Sequence, residues 1–196
     1  MPRKKREWYP GAIYHVMNRG NRRTDLFFCD HDYEMYLKYL EVSVKRFGLK
    51  LLGYCLMTNH VHLQIETSDV PLWFPLQYVN LNYTKYFNKK YNYVGHLFQG
   101  RYTSVCIEDD AQLLQTSRYI HLNPVKANMT RTPDVYRWSS CAVYYDQITD
   151  SMVHTEKILR MFQPYSAQQY KAFVEAVEVR GECATVPDNE TEPSRL

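Results

Sequence analysis

Two histidines one residue apart, in the run His60-Val61-His62-Leu63-Gln64-Ile65-Glu66, carry the strongest chemical signal in this sequence. Side chains of a β-strand alternate between faces, so Val61, Leu63 and Ile65 point one way and His60, His62, Gln64 and Glu66 the other. The two imidazoles converge. Neutral ring nitrogens at that spacing suit a divalent cation, although a polar strand face is also often simply solvated. The deciding partners are Tyr119 and Asn123, one helical turn apart. On a helical wheel they share a side with Gln112 and Thr116, opposite Leu113, Leu114, Ser117 and Ile120, so core packing does not explain Tyr119. A phenol ionises near pH 10, and its attack on a phosphodiester at neutral pH calls for a cation to stabilise developing charge. Histidines, amide and phenol together make a nucleophile-plus-metal constellation. The same wheel turns His121 towards the apolar side, where a hydrogen-bonded, partly buried histidine is expected rather than a ligand.

The elements that must hold these groups can be read in order. Ala12 to Asn18 reads as a strand, followed by a polar loop from Arg19 to Thr24. A helix from Asp30 has apolar residues Tyr33, Tyr36, Leu37, Leu40, Val44 and Phe47 at three- and four-residue steps, and Gly48 ends it. Leu49 to Met57 and His60 to Glu66 form a hairpin around Thr58-Asn59. A second helix near Pro71 has the stripe Leu72, Leu76, Val79, Tyr83 and Tyr86, and Tyr102 to Ile107 makes a fourth strand. This β-α-β-β-α-β order specifies an α+β, ferredoxin-like antiparallel sheet with both helices on one face and the other face open. Asp109 and Asp110 start a third helix over Ala111 to Asn123, which Pro124 is expected to close. Val125 to Asp146 reads as irregular and then helical. Two short helices follow at Val153 to Met161 and Ala167 to Val179, and Gly181 to Leu196 has the composition of a loose acidic tail. The expected organisation is one domain over residues 1–150, a helical extension over 151–180 and a disordered tail over 181–196.

Composition narrows the function further. The 196 residues suffice to bury a core, and the five cysteines Cys29, Cys55, Cys106, Cys141 and Cys183 are scattered without a Cys-X-X-Cys pair, which predicts reduced thiols. No signal peptide or membrane span is apparent, so a cytoplasmic, nucleoid-associated location is expected. Net charge is only +3, yet Arg3, Lys4, Lys5, Arg6, Arg19, Arg22 and Arg23 crowd the start, whereas acids gather near the end. That asymmetry suggests a polyanion-binding N-terminus. Eighteen tyrosines, several beside lysine or asparagine as in Asn82-Tyr83-Thr84-Lys85-Tyr86, fit base stacking on single strands, although tyrosines fill cores equally well.

His60-Val61-His62 matches the His-hydrophobic-His signature of HUH single-strand endonucleases, and Ser117 to Ala127 resembles the catalytic-helix segment of single-tyrosine transposases. More narrowly, Tyr9-Pro10-Gly11, Tyr14-His15-Val16, Arg19-Gly20-Asn21, Gly95 to Tyr102 and Tyr136 to Ser140 resemble the REP-associated tyrosine transposases. The resemblance implies that His60, His62 and Asn123 hold Mg²⁺ or Mn²⁺ and that Tyr119 forms a 5′-phosphotyrosine. It also implies a single-stranded DNA partner with a palindromic hairpin and an adjacent guide tetranucleotide, bound by a monomer or homodimer. The N-terminal basic segment, the loop from Arg19 to Arg23, Arg101 and Tyr102 are the expected DNA contacts, with Tyr102 the second choice as nucleophile. Two other readings stay open: a non-cleaving repeat-DNA-binding regulator of the same fold, and a metal-dependent phosphodiesterase that uses water.

Overall fold

In the computed structural model, which describes residues 8–164 and 166–176, four antiparallel strands form one sheet. They are β1 (Ile13–Arg19), β2 (Lys50–Met57), β3 (His60–Glu66) and β4 (Thr103–Ile107), in the order β2-β3-β1-β4. The register pairs His62 with Met17 and Cys55, and His60 with Arg19 and Met57. Two long helices, α1 (Asp30–Phe47) and α2 (Trp73–Tyr91), complete the expected βαββαβ order. Gly48, left-handed at φ 65°, ends α1 as its position predicted.

Val61, Leu63 and Ile65 are fully buried beneath α1 and α2, as strand alternation required. The helices meet through Tyr36 and Tyr83, whose ring centroids are 5.2 Å apart, and Ser43 donates to the Pro75 carbonyl at 3.0 Å. This contact corrects the stacking role expected of the tyrosines in α2. Tyr83 is buried and donates to the Leu26 carbonyl, while Tyr86 and Tyr91 donate to the buried Asp32 at 2.8 and 2.7 Å. They join two helices. A phenol can bury its ring and still satisfy its hydroxyl, which suits it to a small core as well as to a base.

The sheet face expected to lie open is roofed by α3 (Asp110–Lys126). Asp109 caps this helix by accepting from the Gln112 amide at 2.7 Å, and Gln64 reaches up from β3 to the Leu113 carbonyl at 3.0 Å. Thr116, expected on the polar side with Tyr119, is buried because that side faces the sheet and not solvent. Pro124 does not close the helix. It is buried within α3, and the chain runs on through Ala127, whose amide reaches the Asn123 carbonyl at 2.9 Å. A proline removes one donor and crowds one turn, which a packed helix can absorb.

The later segments share this core. Residues 138–140 lie along β2, with Leu56 donating to the Trp138 carbonyl and Ser140 to the Tyr54 carbonyl, and α4 (Cys141–Tyr144) follows. The short helix α5 (Glu156–Leu159) and α6 (Ser166–Glu175) bury Ile158, Tyr170 and Val174. Of the expected helix Ala167 to Val179, the last three positions lie outside the described residues. So do the tail 181–196 and Cys183. The other four cysteines are free thiols, as expected. Among the described residues no helix is long and apolar enough to cross a membrane.

Candidate active site

Strand β3 and helix α3 bring the predicted chemical groups together. His60 and His62 stand side by side with ring centroids 4.9 Å apart, and the Tyr119 ring meets the His62 ring edge-on at 5.4 Å. Asn123, one turn beyond Tyr119, donates from its amide nitrogen to the Tyr119 carbonyl at 3.0 Å, which leaves its oxygen as the group available to a ligand. Lys126 completes this end of the helix, its ammonium 5.8 Å from the Tyr119 ring centre.

A third histidine, His15 on β1, belongs to the same cluster. Its Nε2 lies 3.1 Å from His62 Nδ1, and its ring is 5.7 Å from that of Tyr119. The residue sits within Tyr14-His15-Val16, yet no site role was drawn for it from the sequence. Period two within β1 puts His15, Met17 and Arg19 on one face, and the antiparallel register then lays that face beside His62. The alternation was readable. The pairing of β1 with β3, a long-range contact, was not.

The ring contacts fix which nitrogens are available. His60 Nδ1 lies 2.7 Å from the Asn59 side-chain oxygen, and His62 Nδ1 is engaged by His15, so both rings are held through Nδ1. His62 is only 1% exposed, and its Nε2 is buried with no hydrogen-bond partner among the described residues. A buried polar atom without a partner is costly unless something else binds it. Burial lowers the pKa of His15 to about 4. Burial, followed by the charge of Arg19, lowers His60 to about 4, and burial with the neighbouring histidines and Arg19 holds His62 well below its usual value. All three rings are therefore neutral at pH 7, the state that coordination requires.

By donor chemistry, His60 Nε2, His62 Nε2 and the Asn123 oxygen are groups that could hold a divalent cation. Among the described residues no three His, Cys, Asp or Glu side chains converge to hold a metal. Two imidazoles and an amide leave the remaining positions to oxygen from substrate and water. Glu66, predicted on the same strand face, is not part of the cluster: it pairs with Lys50 at 2.9 Å and with Lys157. His121 is fully buried and hydrogen-bonded through both ring nitrogens, as expected for a structural histidine.

A basic rim adjoins the histidines. Arg19 pairs in register with His60, and the 3-10 turn Asn21–Arg23 then projects Arg22 and Arg23, both exposed, at φ 53° and 60°. Gly20 makes this turn possible, since a Cβ there would lie 2.0 Å from the Thr24 carbonyl oxygen. The segment carrying exposed Arg101 is tied to the same edge: Gln99 donates to the Arg19 carbonyl at 2.9 Å and Asn21 to the Leu97 carbonyl at 2.8 Å. Tyr102 departs from expectation. It is 7% exposed and belongs to the core, so it offers no ring to bases and no accessible nucleophile, because its aromatic bulk anchors the start of β4. Arg3, Lys4, Lys5 and Arg6 lie outside the described residues.

Known proteins share the family and the fold. The family model for IS200-like transposases matches residues 9–123, which ends on Asn123. A protein of Haemophilus influenzae assigned as a REP-associated tyrosine transposase is 24% identical over 152 residues, covering 71% of this chain and 85% of that one. The solved structure of a REP-associated tyrosine transposase bound to a REP hairpin superposes with a TM-score of 0.64 at 14% identity. It covers 79% of this chain and 98% of that one, and at such identity the likeness is one of fold.

Proposed function

This chain belongs to the IS200-like transposase family, and from that premise we propose that it nicks and rejoins hairpin-bearing single-stranded DNA through a covalent bond to Tyr119. The observation that carries this reading is the Tyr119 ring set against His62, whose buried Nε2 has no hydrogen-bond partner among the described residues. A phenol and an imidazole meet edge to edge there.

His60, His62 and Asn123 would hold Mg²⁺ or Mn²⁺, with His15 keeping His62 in the tautomer that exposes Nε2. When bound, the cation supplies positive charge to the phosphodiester oxygens as the bond is exchanged. The chain's own groups do the rest. Tyr119 Oη bonds to phosphorus as its proton leaves to solvent, and the bond to the 3′-oxygen breaks while that oxygen takes a proton from solvent, leaving a 3′-hydroxyl and a 5′-phosphotyrosine. Attack by a 3′-hydroxyl reverses these steps and restores a phosphodiester, so joining needs no external energy. Arg19, Arg22, Arg23 and Arg101 lie where they can neutralise phosphates on either side of the reacting one. A REP-like palindrome with its guide tetranucleotide is the proposed partner, on the strength of the hairpin bound to the structural relative.

The test is to incubate the protein with a labelled hairpin-bearing single strand and Mn²⁺ and to resolve the products on a denaturing gel. A labelled band at the mass of the protein-DNA adduct, absent in Tyr119→Phe, is expected. Cleavage without an adduct would transfer the nucleophilic role to water.

A further inference from the structure

Tyr170 lies on α6, beyond the segment matched by the family model, and is completely buried. Its hydroxyl is 2.6 Å from Ser117 Oγ and 2.7 Å from His121 Nδ1, two residues one turn apart on α3. His121 Nε2 is in turn 2.8 Å from Ser140 Oγ. Ser140 Oγ accepts from the Tyr54 amide on β2 at 2.9 Å and donates to the Tyr54 carbonyl at 3.3 Å.

The protons of this chain can be placed so that every donor is used. Ser140 donates to the Tyr54 carbonyl, so its oxygen accepts both the Tyr54 amide and His121 Nε2–H. His121 Nδ1 then carries the lone pair that accepts the Tyr170 hydroxyl, and the Tyr170 oxygen accepts Ser117. A saturated buried network of this kind fixes one arrangement of its parts. Arg118 adds a second tie, donating from Nε to the Val174 carbonyl at 3.1 Å and also to the Ala176 carbonyl at the end of α6.

We propose that Tyr170 is a positioning residue for Tyr119: its hydroxyl, bound to Ser117 and His121, locks the rotation of α3 above the histidine strand. Ser117 and His121 lie two residues before and two after Tyr119, on the opposite side of the helix. Turning α3 to follow a displaced Tyr170 therefore swings the Tyr119 hydroxyl across the site. A displacement of about 1 Å at a reacting atom can cost on the order of 100-fold in rate. The inference deepens the proposed function and rests on Tyr119 being the nucleophile.

Tyr170→Phe keeps the ring among Tyr144, Phe162 and His121 and removes only the hydroxyl. With a hairpin-bearing single strand and Mn²⁺, DNA affinity should stay within about twofold while single-turnover cleavage at saturating DNA falls about tenfold. Amide exchange over residues 110–126 should quicken. Ser117→Ala should show the same pattern, and the double variant should be no slower than Tyr170→Phe, because both remove one shared link. If Tyr170→Phe does not fold at the assay temperature, Ser117→Ala decides the question. A folded variant that cleaves at the parental rate overturns the proposal, as does an additive double variant. Should the parental protein form no adduct, the proposed function fails instead, and unchanged exchange in α3 then overturns this inference separately.

Discussion

Two buried polar clusters flank the sheet, and they treat their polar atoms in opposite ways. Between α1 and α2, Asp32 accepts from the Phe28 and Cys29 amides, Lys90, Tyr86 and Tyr91, at 2.7 to 3.2 Å. Burial opposes its charge, yet Lys90, Tyr91 and the other donors bring its pKa down to about 2. On the other face, His62 is just as buried, but its Nε2 is unmatched among the described residues. A cluster that satisfies itself holds helices together. One with an unmatched buried donor or acceptor costs the fold stability and marks a place where function is the better explanation.

The sharpest break of that comparison is at Tyr119. Tyr119→Phe should leave the melting temperature within a degree or two of parental and abolish the covalent adduct, a loss on the order of 1,000-fold or more in cleavage. An adduct of undiminished yield, mapped to another tyrosine by peptide sequencing, would sink the assignment.

Next come matched substitutions in the two clusters. His62→Ala should eliminate Mn²⁺-dependent cleavage while changing stability by no more than about 1–2 kcal/mol, since the lost packing is offset by removal of an unmatched buried nitrogen. Asp32→Ala should do the reverse. It strands Lys90 and two phenols, and because Lys90 is partly exposed and can rehydrate, the loss should be about 2–3 kcal/mol. Cleavage per folded molecule should be retained. Chemical denaturation paired with single-turnover rates reads both, and a stable, inactive Asp32→Ala would collapse the distinction.

pH separates the clusters without mutation. Unfolded histidines take up protons near pH 6.5, whereas folded His15 and His60 do so near 4 and His121 near 3. Stability from these depressed values is fully present above about pH 6.5 and is lost as pH falls through 6 and 5, by about 1.4 kcal/mol per pH unit for each such histidine. Asp32 contributes in another window, lost only as pH drops from about 4 towards 2. Thermal melts from pH 7 to 4 should therefore show a steep decline that saturating Mn²⁺ reduces at the upper end, where metal still competes with protons. A flat profile would mean that the histidines are not held neutral.

The smallest effect is expected at the rim. Arg22→Ala and Arg101→Ala should each weaken hairpin binding modestly and reduce the log-log salt slope by about 0.7, with cleavage at saturating DNA unchanged. Deleting residues 1–6 should act the same way if that segment touches phosphates. Equal slopes before and after would remove the residue concerned from the interface.

The sequence made β3 readable to its end residues, because alternation and the Thr58-Asn59 turn fix its two ends; the register shift between Leu51 and Gly53 in β2 was not readable. It also placed Tyr119 and Asn123 together on α3, since helical spacing is local. It did not reveal His15, whose meeting with His62 depends on pairing between strands 47 residues apart. Nor did it reveal that the polar side of α3 faces the sheet, because polarity marks solvent and a built site alike. The tyrosines misled for a related reason: a ring suited to stacking on bases is equally suited to stacking on other rings. Helical spacing set Tyr119 apart from Tyr83, but only tertiary packing showed that Tyr102 is buried.

Strand β3 has neighbours on both sides, β2 and β1, so its backbone is stitched along each edge. Such a strand releases its amides to solvent only when the whole domain opens, whereas helices at the periphery can open alone. The spacing of His60 and His62 is thus protected by the full stability of the fold. Ageing, mild heat or proteolytic nicking at the surface will loosen the peripheral helices and the Arg19–Arg23 turn first, and the pair of imidazoles will be the last to lose its spacing.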